Sequence, residues 1–138
     1  QLQNYKSAYP SIITVMIGTN DIKTRVPLEE FKIAYKQLLV KLKLLSVNNS
    51  IVLLKIPRFT QKVFYPYTYS MNAQVSEYNG FIEQLAHENK VACFEFLFEE
   101  DDYFDGVHLN AKGCRTAALQ LSSLILKDKG FESPTTLS

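Results

Sequence analysis

Three apolar runs punctuate the chain: "SIITVMIG" over 11–18, "SIVLLKIP" over 50–57 and "KVACFEFLF" over 90–98. The first is almost uniformly apolar and rich in β-branched residues, which fits a strand covered on both faces better than an alternating, half-exposed one. Between the runs the period changes to that of a helix. From Pro27, well placed as a first helical residue, Phe31, Tyr35, Leu38, Leu42 and Leu45 recur at helical spacing until "VNNS" breaks the pattern. Val75, Tyr78, Ile82, Leu85 and Ala86 trace a second apolar stripe. Cys114, Ala117, Ala118, Leu121, Leu124 and Ile125 trace a third, with Asn110 where that helix wants its N-cap. The closing "FESPTTLS" is polar and reads as a loose tail.

Strand and helix therefore alternate as β-α-β-α-β-α, the order of a parallel sheet with helices on both faces: an α/β, three-layer αβα architecture. Right-handed crossovers place every loop that follows a strand at one edge of the sheet, where α/β proteins keep their sites. Two polar motifs fall at that edge, "GTND" after the first strand and "DGVHLNAKG" after the third. A chain of 138 residues suits one domain, taken as 1–130, with 131–138 as the tail.

Composition narrows the classes. With 46% hydrophobic and 21% charged residues the balance is that of a folded globular chain. A net charge of +1 builds in no global attraction to nucleic acid or anionic membrane. No apolar run approaches the ~20 residues of a membrane span. The start, "QLQNYKSAYPS", has no charged-then-apolar leader, so it carries no readable targeting segment and leaves the compartment open. Cys93 and Cys114 lack metal-ligand spacing and read as small buried apolar residues. Neither a metal nor a cofactor enters the reading.

"DGVHLN" sets Asp105 and His108 three residues apart, close enough to share a turn. A carboxylate that accepts a hydrogen bond from one imidazole nitrogen fixes the tautomer and leaves the other nitrogen free as a general base. The competing reading is that Asp105 caps a turn and His108 merely packs. Gly106 between them permits a tight turn, which favours the functional reading. In "GTND", the Asn20 amide at a strand end can donate to a developing oxyanion, whereas an Asx turn explains the same residue structurally. The other histidine, His87, reads as solvated surface. The long loop "RFTQKVFYPYTYSMN" should overhang the site: Phe59, Phe64, Tyr65, Tyr67 and Tyr69 could line an acyl or aglycone pocket, or equally pack the loop onto the sheet.

Together these residues resemble the SGNH hydrolases, also called GDSL esterases and lipases. "GTND" is similar to that family's Gly-x-Asn-Asp block, and "DGVHLNAKG" to its closing Asp-x-x-His block with the Leu, Asn and Gly that follow. The resemblance covers nearly all of residues 8 to 127, and it implies a flavodoxin-like parallel sheet. It also implies that Asn20 is the oxyanion-hole donor, His108 the general base and Asp105 its orienting carboxylate. Gly18, Thr19 and Asp21 would shape the loop around Asn20, with Phe64 and Tyr65 at the substrate. The wording of both motifs is also similar to esterase domains in the first open reading frame of some non-LTR retrotransposons.

One departure stands beside the match. The family opens with a Gly-Asp-Ser block bearing the nucleophile, and a second block supplies a Gly N–H to the oxyanion hole; neither occurs here. Ser7 and Ser11 read as turn residues. The chain therefore reads as the C-terminal two-thirds of the domain, without the first strand-helix-strand unit. In the family's strand order the "IITVMIG" strand is central, and without that unit it would be an exposed hydrophobic edge.

The expected function is that of a serine carboxylic ester hydrolase acting on a small-molecule ester or lipid. This chain alone should be inactive, with the Ser supplied by an N-terminal segment, on a separate polypeptide or otherwise. The alternative is a non-catalytic binding module for RNA or protein. Lys32, Lys36 and Lys43 fall on one side of the first long helix and could meet phosphate, although near-neutral net charge argues against strong nucleic-acid binding.

Overall fold

The computed structural model describes residues 12–45 and 50–128. Most of the "VNNS" break, Ser7, Ser11 and the polar tail 131–138 lie outside the described residues. The elements run β1 (Ile12–Val15), α1 (Thr19–Lys23), α2 (Leu28–Leu45), β2 (Ser50–Leu54), α3 (Asn72–Asn89), β3 (Ala92–Phe94) and α4 (Ala111–Asp128). Short 3-10 turns at Tyr69–Met71 and Glu100–Asp102 precede α3 and α4.

The three strands form one parallel sheet in the order β1-β2-β3, with Ile13 beside Ile51 and Leu53 beside Cys93. Alternation along a strand sends successive side chains to opposite faces, so a central strand buried on both sides must be apolar throughout. β2 meets that demand. Ile51 and Leu53 join a cluster with Phe31, Tyr35 and Leu39 of α2 and Val75, Tyr78 and Ile82 of α3. Val52 and Leu54 join Phe96 and the α4 side chains Ala117, Leu121 and Leu124 on the other face. The result is the expected three-layer order, with α2 and α3 on one side of the sheet and α4 on the other.

The larger core is aromatic at its centre. Phe31 stacks on Tyr78 with ring centroids 3.9 Å apart, and Tyr35 meets Phe31 edge-on at 5.4 Å. The Tyr78 hydroxyl donates to the Val26 carbonyl, which ties α3 to the turn that starts α2. These contacts fix the helices over the sheet, and with them the loops at its C-terminal edge.

β1 is the edge strand expected of these elements by themselves, but it is shorter than its apolar run suggests. It extends only to Val15, and Met16 and Ile17 are 47% and 40% exposed. Ile13 and Val15 pack into the core under α2 and α3, but Thr14 on the opposite face is exposed. The reason is positional: within the described residues β1 has β2 as its single neighbour, so its other edge lacks a partner strand, although Ile12 still packs against the second core cluster. β3 is also shorter than the apolar run "KVACFEFLF" suggests, since only Ala92–Phe94 pair with β2. Phe96 nevertheless inserts into the second core cluster. Pro27 lies one residue before α2, with its carbonyl accepting the N–H groups of Glu30 and Phe31. The cysteines are less buried than expected: Cys93 is half-buried and Cys114 exposed.

Candidate active site

The motif after β1 is a helical turn rather than an open loop. Gly18 adopts φ 127° immediately before α1, a conformation that disfavours any side chain. A Cβ there would also lie 2.5 Å from the Ile56 Cδ1 and 3.3 Å from the Phe31 ring. The chain can thus turn sharply over the core at Gly18, and the Gly18 carbonyl accepts the N–H of Ile22 at 2.9 Å to start α1. This turn lifts Asn20 to the surface while Ile22 anchors the helix in the core.

The loop after β2 is held by two asparagines of α3. Asn79 accepts the Ile56 N–H at 2.7 Å and donates to the Ile56 carbonyl at 2.9 Å. Asn72, buried, does the same for Phe59, accepting its N–H at 2.7 Å and donating to its carbonyl at 2.9 Å. Each side-chain amide imitates a neighbouring strand and satisfies backbone groups that would otherwise be buried unpaired. The sequence signal for this pair is two Asn residues seven apart, beside the apolar positions Val75, Tyr78 and Ile82.

The motif after β3 is strapped to itself and to the β2 loop. Asn110 caps α4, its Oδ1 accepting the Gly113 N–H at 2.8 Å as expected, while its amide donates to the carbonyls of Asp101 and Tyr103. The Phe104 N–H donates to the His108 carbonyl at 2.7 Å, closing the loop. Gly106, at φ 86°, lies against the Val63 backbone, where a Cβ would come within 2.6 Å. Its carbonyl accepts the Thr60 N–H at 3.0 Å.

Within this frame Asp105 uses both carboxylate oxygens. Oδ1 accepts the backbone N–H groups of Val107 at 3.0 Å and His108 at 2.7 Å. Oδ2 lies 2.8 Å from the His108 Nδ1. Burial pushes the Asp105 carboxyl upward, but the His108 backbone N–H, the imidazole and the Val107 N–H together outweigh it and hold the group at about 2. An ionised carboxylate facing Nδ1 stabilises a proton there and leaves Nε2 as the basic nitrogen. The two sequence-level readings of Asp105, turn cap and histidine partner, both describe the structure.

His108 and Asn20 line one cleft of about 800 Å³, with Gly18, Thr19 and Asp21 beside them. Pro57, Phe59, Val107 and Leu109 form much of its apolar wall, and Met16, Ile17 and Cys114 complete it. No serine among the described residues lines this cleft. Phe64 and Tyr65 do not line it either; they stand 65% and 89% exposed. The loop satisfies its apolar demand through Phe59 and Tyr67, which pack inward and leave 64 and 65 outside. Tyr67 is buried against Phe59 and sits beside the His108 ring. Its phenol is pushed up by burial and then by the Asp105 charge. His87 is solvent-exposed on α3. Among the described residues no cluster of three or more His, Cys, Asp or Glu could hold a metal ion, and no helix is long and apolar enough to cross a membrane.

A family model described as the GDSL-like lipase/acylhydrolase family matches residues 1–116. Among solved structures the chain is similar to a GDSL-like lipase from Bacteroides thetaiotaomicron, at 17% identity and a TM-score of 0.69, covering 86% of this chain and 63% of that one. It is also similar to a catalytic mutant of an acetylxylan esterase from Geobacillus stearothermophilus, at 21% identity and a TM-score of 0.64, covering 94% of this chain and 62% of that one. This chain thus spans a little over 60% of the length of these structures, and at such identities the likeness is one of fold. No curated protein matches it in sequence.

Proposed function

We propose that this chain, which belongs to the GDSL-like lipase/acylhydrolase family, supplies the histidine-carboxylate-asparagine part of an ester-hydrolysing site. The single observation that carries the proposal is the 2.8 Å contact between the His108 Nδ1 and Asp105, on a ring that shares its cleft with Asn20. A tautomer fixed in this way leaves Nε2 to take a proton from a nucleophile, and the Asn20 amide can donate to the oxygen on which charge then develops.

The nucleophile in this reading is a serine on a strand that pairs with the open edge of β1. Two features support that placement: the exposed apolar Met16 and Ile17 at the C-terminal end of β1, and the share of the solved relatives' length that this chain does not span. The serine oxygen would bond to the acyl carbon as His108 accepts its proton. The tetrahedral oxyanion would be held by Asn20 and backbone amides. His108 would then pass the proton to the departing alkoxide, and water would repeat the two steps on the acyl-enzyme. An oxyanion donor of this kind contributes on the order of 10²–10³ in rate, whereas loss of the serine removes nearly all of the advantage. Residues 1–138 alone are therefore expected to be inactive. The substrate class is a small-molecule ester or lipid.

Hydrolysis of a short-chain p-nitrophenyl ester by the full-length protein, beside a His108→Ala variant, tests this. Turnover by the variant should fall at least ~10³-fold. Equal turnover by both proteins would refute the esterase reading. The binding-module alternative gains little from the geometry, because Lys32 pairs with Glu29 and lies over the Phe81 ring, and Lys43 bonds to Asn89.

A further inference from the structure

We propose that Tyr67 is a positioning residue for His108, its ring forming the wall that, with Asp105, fixes the imidazole in one orientation. This rests on the reading of His108 as the site's base. The His108 side chain is 61% exposed, and among the described residues its one side-chain hydrogen bond runs from Nδ1 to Asp105. A single bond fixes one ring atom. The ring can still swing about that contact, or flip to present its other nitrogen, unless a second surface blocks it.

Tyr67 is that surface. It is 6% exposed, its ring centroid lies 6.0 Å from that of His108, and the two planes cross at 81°. Edge-to-face contacts at this range have a preferred geometry as well as apolar area, so they restrain a partner's rotation. Tyr67 is itself immobilised. Its ring meets Phe59 edge-on at 5.2 Å, and Phe59 is the residue whose backbone Asn72 clamps on both sides. The same loop is tied to the Asp105 side through the Thr60 N–H and the Gly106 carbonyl. Both groups that touch the imidazole are therefore mounted on one hydrogen-bonded unit, and the two cannot drift apart independently. The contrast within the loop is informative: Phe64 and Tyr65, its other aromatics nearby, are left in solvent, whereas Tyr67 alone is spent against the histidine.

The test compares Tyr67→Met, which keeps apolar volume without a flat ring, with Tyr67→Phe, which keeps the ring without the hydroxyl, both in the full-length ¹⁵N-labelled protein. Imidazole ¹⁵N shifts report the tautomer of His108, a readout that loss of stability alone does not move. Wild type and Tyr67→Phe should show one tautomer, protonated at Nδ1, and Tyr67→Met should show a mixture. In the ester assay Tyr67→Met should lower kcat by ~10- to 100-fold with KM within about twofold, and Tyr67→Phe should restore it. A Tyr67→Met protein with the wild-type tautomer would overturn the proposal. So would a mixture in Tyr67→Phe, which would move the role to the hydroxyl. If Tyr67→Met does not fold, Phe59→Leu removes the ring that Tyr67 leans on and is read by the same signal. The NMR comparison needs no turnover, so failure of the esterase reading and failure of the Tyr67 assignment give separate results.

Discussion

Replacing Asn72 with alanine tests whether the loop after β2 is held by a side chain that imitates a strand. The Asn72 amide makes two hydrogen bonds, to the N–H and the carbonyl of Phe59, and both lie in a buried environment. Alanine removes both partners at once and leaves a buried donor and a buried acceptor unpaired. Each such group costs about 1–3 kcal/mol, so the expected loss is about 2–6 kcal/mol. The better helix propensity of alanine at the start of α3 offsets well under 1 kcal/mol of this. For a domain of this size each kcal/mol lowers the melting temperature by roughly 3–4 °C, which gives a fall of roughly 6–24 °C. Urea unfolding of wild type and Asn72→Ala, fitted with a common slope, measures the difference directly. A loss below ~0.5 kcal/mol would refute the reasoning, because it would mean that water reaches Phe59 and replaces the amide. Asn79→Ala serves as the internal comparison: it frees the same two groups on Ile56 at a less buried site and should cost less.

Gly106→Ala combines an unfavourable positive φ with a Cβ 2.6 Å from the Val63 backbone, which cannot move aside as a side chain could. It should destabilise by about 2 kcal/mol or more in thermal unfolding and pull the Asp105 turn off the β2 loop. Asp105→Asn should show a pH-dependent cost. The Asp105 carboxyl is held at about 2, below its ordinary range, so its stabilisation is fully present above the unfolded value of about 4 and is lost as pH falls from there toward 2. The gap in unfolding free energy between wild type and Asp105→Asn should thus stay level above pH ~5 and close below pH ~4; a gap that widened on acidification would contradict the assignment.

The layers of the fold were legible because β2 and the three long helices obey simple periods. Every residue of "IVLL" is buried, as a strand covered on both faces requires, and the stripes on α2 and α3 meet in one core. The ends of β1 and β3 were not legible. Apolar content told where a strand could run, but pairing told where it stops, and pairing depends on neighbours that a one-dimensional pattern does not contain. The grouping of Asn20 with His108 in one cleft followed from topology, since parallel strands with right-handed crossovers bring their following loops to one edge. Which aromatics of the long loop face inward did not follow. Phe59, Phe64, Tyr65 and Tyr67 look alike in sequence, and the choice among them is made by Asn72, thirteen residues beyond Phe59, gripping its backbone.

Asp105 shows why a turn cap and a histidine partner are poor alternatives at such a position. A carboxylate has two oxygens, and here one is consumed by two backbone N–H groups while the other faces the imidazole. The backbone bonds do more than close a turn: by taking Oδ1 they fix the plane of the carboxylate, and that plane decides where Oδ2 points. The local rule that favours Asp three residues before His is therefore the same rule that aims the His. Gly106 makes this possible by accepting a conformation other residues avoid, and its carbonyl then couples the turn to the loop carrying Phe59 and Tyr67. Structure and proposed chemistry share one set of hydrogen bonds at this edge of the sheet, so a substitution that loosens the loop should also disorder the imidazole. Conversely, a variant that misorients His108 while leaving the unfolding midpoint unchanged must act on the wall facing the ring and not on the turn beneath it.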